Sequence, residues 1–167
     1  MSAFLEITFL AFPLLMAFAA VSDLLTFRIP NLVPLLGVAG FTVAAQIAGF
    51  DVGTIGLHVG VGLAALAAGL VLFARGWVGG GDAKIAAVAV LWVGPAAAPQ
   101  FIAWTLVAGG LLTVATIAVR RQPLPAFAIR TWTLRLHDPR SGIPYGIAIG
   151  AAALAVYPQT WTALLLA

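Results

Sequence analysis

Apolar residues come in long runs along this chain, separated by short polar joints. The runs extend from about Phe4 to Val21, Leu32 to Phe50, Ile55 to Phe73, Ile85 to Val93 with an extension past Pro95, Phe101 to Val119, and Ile143 to Leu166. A membrane-spanning helix uses about 20 residues, so the pattern predicts six spans and leaves no room for a folded domain beside them. The fourth run is the weakest, because Pro95 and Pro99 interrupt it and its apolar core is short for a bilayer. The first run could pass for a secretory signal, since Ala17-Phe18-Ala19 reads as a cleavage site. Its front end carries Glu6 and no Lys or Arg, which argues against a signal peptide.

Composition agrees with the runs. Of 167 residues, 63% are hydrophobic and 8% charged, with a mean hydropathy of +1.12. A soluble domain carries about a quarter of its residues as charges, so that class is excluded. The net charge of +3 and the pI of about 10.2 would suit a nucleic-acid partner. Eight cations scattered through a lipid-soluble chain make no such patch, and no nucleic acid is expected. They are better read as an orientation signal. Arg28 lies in the first joint, Arg75 and Lys84 flank the third, and Arg120, Arg121, Arg130, Arg135 and Arg140 fill or border the fifth. The alternate joints carry only Glu6 and Asp51. By the positive-inside rule the basic joints face the cytoplasm and both termini face the periplasm. The expected fold class is therefore all-α, a polytopic membrane bundle of six transmembrane helices forming a single domain over residues 1–167.

Two features of the joints and runs concern packing. The stretch from Arg120 to Arg140 mixes cations with Phe127, Trp132, Leu134 and Leu136, which suits the headgroup level of an anionic leaflet better than a solvated loop. Gly56 with Gly60, and Gly146 with Gly150, are small-xxx-small spacings that permit close helix approach.

Candidate chemistry is limited by what is absent. With no cysteine there is no disulfide, Cys-ligated metal or thiol nucleophile. Acids are scarce, and a carboxylate near membrane depth is costly unless it faces a polar cavity or a partner. Asp23 sits at the cytoplasmic end of the first run and Asp82 at the cytoplasmic start of the fourth, so the topology puts both at one depth on one side. Two carboxylates brought together in a water-accessible pocket meet the requirement of aspartic proteolysis, since like charges a few Å apart cannot both ionise easily. Gly79, Gly80 and Gly81 ahead of Asp82 remove side chains where the backbone turns and where a substrate or helix must come close. The plain alternative is an interfacial cap at each helix end, with Gly79 to Asp82 a loop and an N-cap. Lys84 does not share Asp82's helical face and reads equally as a snorkelling anchor.

The remaining polar residues offer less. His58 lies about one turn inside the outer end of the third run, far from the acids, and reads as a helix-to-helix hydrogen bond. His137 and Asp138 precede Pro139 and read as a turn. No metal site and no cofactor are expected. Ser22 and Ser141 have no nearby His base, so a serine mechanism lacks support.

Ser22-Asp23 followed by Arg28-Ile29-Pro30-Asn31, then Gly79-Gly80-Gly81-Asp82-Ala83-Lys84, then Gly142-Ile143-Pro144-Tyr145-Gly146, resemble in that order the bacterial type IV prepilin leader peptidases. The resemblance covers nearly the whole chain. It implies a polytopic aspartic endopeptidase with Asp23 and Asp82 as the catalytic pair and Gly79, Gly80, Gly81 and Lys84 as the supporting loop. It also implies a prepilin or pseudopilin as substrate and lipid as surroundings. A prepilin presents a basic leader followed by an apolar helix that stays in the bilayer, so the cut falls at the cytoplasmic face. Long members of that family carry a Cys-rich zinc-binding segment and also N-methylate the new terminus. This chain lacks that segment and resembles the short form associated with tight-adherence pili. Presenilin-like proteases share Gly-x-Gly-Asp but lack the Arg-Ile-Pro-Asn context. From another class, a small ion-coupled transporter or assembly scaffold would use the two acids to bind or relay cations; inverted repeats would favour transport, and none is visible.

Overall fold

A computed structural model describes residues 2–124 and 129–160, with side chains described from Leu10 onward. Every regular element among them is helical. Helix α1 spans Ser2–Thr26, α2 Leu32–Ile47, α3 Val52–Ala74, α4 Gly80–Arg120, α5 Thr131–His137 and α6 Gly146–Val156. Short 3₁₀ turns at Pro139–Ser141 and Tyr157–Gln159 lead into and out of α6. Phe127, the side chain of Glu6 and the last part of the sixth apolar run lie outside what is described.

The ends of the helices follow from local chemistry. At α1, Phe27 takes a left-handed conformation with φ 55°, and its N–H closes on the Asp23 carbonyl at 2.8 Å. Pro30 then starts the approach to α2. Asp51 caps α3 by accepting from the Thr54 N–H at 2.8 Å. Thr54 holds this exposed carboxyl below the ordinary carboxylate range, chiefly through its side chain and then its backbone.

The fourth and fifth apolar runs, expected as separate spans, form one helical element, α4, broken at a single residue. Gly94 has φ 73° and ψ 178°, a combination essentially restricted to glycine. The break reverses the chain. Lys84, near the start of α4, bonds Asn31, while Arg120 at its far end donates to the Leu136 and Gly142 carbonyls. Both ends of α4 therefore lie at the same end of the molecule. Pro95 has no N–H to offer the Leu91 carbonyl one turn back. His58 of α3 replaces that donor, with Nδ1 2.8 Å from the Leu91 oxygen. Because a carbonyl only accepts, Nδ1 carries the proton. The helix-to-helix hydrogen bond expected of His58 is present, and it repairs the reversal.

Around this reversal the core is aromatic. Phe12 of α1 stacks on Trp92 of α4 with ring centroids 5.1 Å apart, Phe41 of α2 meets Trp92 edge-on at 6.0 Å, and the Trp92 indole N–H donates to the Gly37 carbonyl at 2.8 Å. Close approach uses glycines selectively. A Cβ at Gly150 would come within 2.9 Å of Ala20 Cβ, so the second of the two expected spacings does bring α6 onto α1. Gly56 and Gly60 face open space; α3 instead meets α4 through Gly62 and Gly69, whose Cβ positions lie 3.1 Å from Leu91 Cβ and 2.9 Å from Ala83 Cβ.

Only His58 and Gly62 of α3 are buried, while Leu57, Leu63 and Leu70 stand exposed. Helices α3 and α4 are long and apolar enough to cross a membrane, and shorter apolar helices occupy Leu10–Thr26, Leu32–Ile47 and Gly146–Gln159. An apolar outside of this extent is stable against lipid and unfavourable against water.

Candidate active site

The end of the bundle where α1 stops and α4 starts contains a cavity of about 600 Å³, walled by residues 22, 23 and 26–31 on one side and 79–82 on the other. Asp23 projects from the last turn of α1 and is 5% exposed. Its Oδ2 accepts from the Gly146 N–H at 2.7 Å, a bond that ties the end of α1 to the first residue of α6. A Cβ at position 146 would sit 2.8 Å from both Asp23 Cβ and Oδ2, so a side chain there would displace the acid. Tyr145 steadies the same segment: its ring fills the space left at Gly109 and its hydroxyl lies 3.1 Å from that of Thr113.

Asp82 stands at the third position of α4, where its carboxylate reaches back to the Gly79 N–H. Gly79 is the N-cap, and Asp82 takes the position of the acid in a capping box. Each glycine ahead of it has its own steric reason. A Cβ at Gly79 would lie 2.7 Å from Asp82 Oδ2, one at Gly80 3.3 Å from the Phe73 ring, and one at Gly81 3.3 Å from Ile29 Cβ. The cavity thus brings Asp23, Asp82 and all three glycines together, and the charge of Asp23 acts on Asp82 across it.

The wall formed by residues 26–31 is fastened from both sides. The Ser22 hydroxyl donates to the Arg28 carbonyl at 2.9 Å, and the Thr26 hydroxyl lies 2.7 Å from the Ser22 carbonyl and 3.0 Å from that of Arg28. Arg135, on α5, donates to the Thr26 carbonyl at 3.0 Å. Lys84 does not line this cavity; its ammonium donates to Asn31 Oδ1 at 2.9 Å and so holds the far end of the wall.

The sequence marks Gly146 as a packing glycine and Arg120 and Arg135 as orientation cations, and gives none of them a place at the acids. The Gly142 to Gly146 motif stood out as a signal, but its amide contact with Asp23 crosses 123 positions of chain. The other polar candidates lie elsewhere. His137 Nδ1 is 3.0 Å from the Thr133 carbonyl at the end of α5, and Asp138 caps the 3₁₀ turn through the Arg140 N–H. Among the described residues no group of His, Cys, Asp or Glu is arranged to hold a metal ion. Each carboxylate accepts from one backbone N–H and retains acceptor capacity for water or substrate.

The fold and site define an apolar helical bundle with a pair of carboxylates facing one cavity at its end. A model of the type IV leader peptidase family matches residues 10–114, which include both acids and the three glycines, and the chain belongs to that family. The family is one of membrane-bound leader peptidases, so the chain is a peptidase. No curated protein and no solved structure matches the chain.

Proposed function

We propose that this protein is an aspartic endopeptidase of the bacterial cytoplasmic membrane, cutting the basic leader from a prepilin or pseudopilin at the cytoplasmic face with Asp23 and Asp82 as its dyad. The observation that carries this reading is the meeting of the two acids in one cavity. Two carboxyls that face one cavity, the charge of one acting on the other, hold one proton between them. The ionised member takes a proton from water as the oxygen attacks the scissile carbonyl, and the protonated member donates to the developing oxyanion. The leaving amine then receives a proton as the C–N bond breaks, and the dyad returns to its shared-proton state. The Gly146 and Gly79 N–H groups fix the two carboxyls, and the absence of side chains at Gly79 and Gly81 lets Asp82 fold back over its N-cap and lets Ile29 pack against the start of α4. Family membership displaces the transporter and scaffold readings.

The direct test is purified enzyme with a synthetic prepilin in detergent. The expected result is one cut at the junction of basic leader and apolar helix, with an unmethylated new N-terminus. This rests on the resemblance to the short form without a Cys-rich segment. A methylated terminus produced by this enzyme alone would overturn the short-form assignment.

The same reading holds that one integral membrane domain crosses the bilayer six times with both termini in the periplasm. It is supported by the one-sided cations and by the return of α4 at Gly94. Because the chain has no cysteine, single substitutions label cleanly. Asp51→Cys should react with an impermeant reagent from outside intact cells, whereas Val78→Cys and Arg130→Cys should react only after the membrane is opened. Labelling of positions 51 and 78 from the same side contradicts the six-span arrangement.

A further inference from the structure

A second cavity, of about 400 Å³, lies between α2, α3 and the first half of α4. Its floor is Ala87, Val88 and Leu91 of α4, and its walls come from Asn31 and residues 34–38 of α2 and from residues 59–66 of α3. Unlike the acid cavity it is almost wholly apolar. Asn31 and Lys84 are the exceptions. They stand together at one end, bonded to each other at 2.9 Å, and Asn31 also lines the cavity that holds Asp23 and Asp82. The two cavities therefore share Asn31 as a common wall.

The groove stays open because α2 and α3 each pack on α4 more than on one another. Gly37 brings α2 onto Val88, Gly62 brings α3 onto Leu91, and Phe41 meets His58 near the outer end with ring centroids 5.4 Å apart. Between these contacts the walls present Leu35 and Leu63, 66% and 60% exposed, with Val38 and Val59 also open. From Asn31 to Val38, and from Lys84 to Leu91, the lining runs for two helical turns, about 10 Å. A groove of that length, apolar along its sides, suits the i, i+3/i+4 and i+7 side chains of a guest helix.

We propose that this groove seats the first two turns of the substrate's apolar helix, directly after the scissile bond, while the acid cavity holds the bond itself. The inference rests on the peptidase reading and deepens it by locating the side of the substrate that is retained after the cut. The shared wall at Asn31 selects this occupant. A chain whose cleaved bond lies between Asp23 and Asp82 and whose next residues are apolar has a matching path past Asn31 into the groove. The Lys84–Asn31 bond marks the point where the lining changes from polar to apolar, which places the start of the guest helix in register with the acids. Recognition would then depend on apolar residues after the cut as well as on the basic leader before it.

The test uses the full chain in detergent and two synthetic peptides. One carries a lysine-rich leader, the cleavage site and an apolar helix of about 20 residues; the other stops shortly after the site. The wild-type enzyme should favour the longer peptide in kcat/KM. Leu63→Trp, which narrows the groove, should reduce that preference about tenfold, mainly through KM, whereas Leu111→Trp on the exposed second half of α4 should leave it unchanged. In an Asp82→Asn background, a photoreactive residue at position 63 should crosslink to the longer peptide, and one at position 111 should not. An unchanged preference in Leu63→Trp, or crosslinks at position 63 only to lipid or to a second copy of the enzyme, overturns the groove assignment. Cleavage of neither peptide by the wild-type enzyme instead defeats the peptidase reading beneath it. The crosslink stands as the deciding measurement should Leu63→Trp fail to fold.

Discussion

Asp23→Asn and Asp82→Asn should each abolish prepilin cleavage while leaving the enzyme inserted in the membrane, and the double variant should be no worse than either single one. A dyad holding one proton and one negative charge acts as a unit, so removing either carboxylate removes the water-activating arrangement. Losses among residues that act together are strongly non-additive. General acid-base chemistry at one site contributes about 10² to 10⁴ in rate, so each variant should fall by at least about a hundredfold. The fold should tolerate both changes. Asn keeps an oxygen that can accept from the Gly146 N–H at position 23 and from the Gly79 N–H at position 82. If the acids were only caps, their loss would cost about 0.5–2 kcal/mol of stability, add in the double variant, and leave cleavage in whatever remained folded. Processing is measured against the amount of folded enzyme in the membrane. Substantial cleavage by either Asn variant would rule out the dyad.

Gly94→Ala should cause the largest loss of stability of any single methyl addition in the bundle's interior. Its backbone lies where non-glycine residues are strained by about 1–3 kcal/mol. In addition, an alanine Cβ would stand 2.3 Å from His58 Cε1 and 2.6 Å from Nε2. Moving the ring would free the Leu91 carbonyl, which Pro95 cannot serve, at a further cost of about 1–3 kcal/mol. A combined loss of roughly 3 kcal/mol or more is a large part of the 5–15 kcal/mol that stabilises an ordinary domain, so the folded yield in detergent should drop sharply. Pairing Gly94→Ala with His58→Ala relieves the clash but not the backbone strain. The double variant should therefore be less destabilised than the sum of the two changes. A Gly94→Ala protein that unfolds within about 0.5 kcal/mol of the wild type would show that the reversal does not depend on this residue.

The all-helical character of the chain was readable at once, because apolar runs too long for strands leave helices as the way to satisfy the backbone. The two acids are readable by their rarity; the glycines before Asp82 are expected at a turn, whereas Gly79 caps α4 and Gly80 and Gly81 lie in its first turn as points of close contact. The proline-interrupted stretch was recognised as irregular, yet it reads as a weak span; in the structure it is the place where one helix folds back on itself. That outcome depends on His58 reaching across from α3 to a carbonyl that Pro95 leaves unpaired, a relation between positions 33 residues apart. The fastening of Asp23 by Gly146, the clamp of Arg135 on Thr26, and the use of Lys84 to hold Asn31 are likewise long-range. Lipid tails and neighbouring helices are both apolar, so a hydrophobic pattern marks a segment as buried without saying against what. Gly56 and Gly60 have the same spacing as Gly146 and Gly150, yet the first pair faces open space and the second lies against α1. Composition and periodicity are the same for a face that meets lipid and a face that meets protein; packing alone separates them, and packing is what brings the two acids to one cavity and opens the groove beside it.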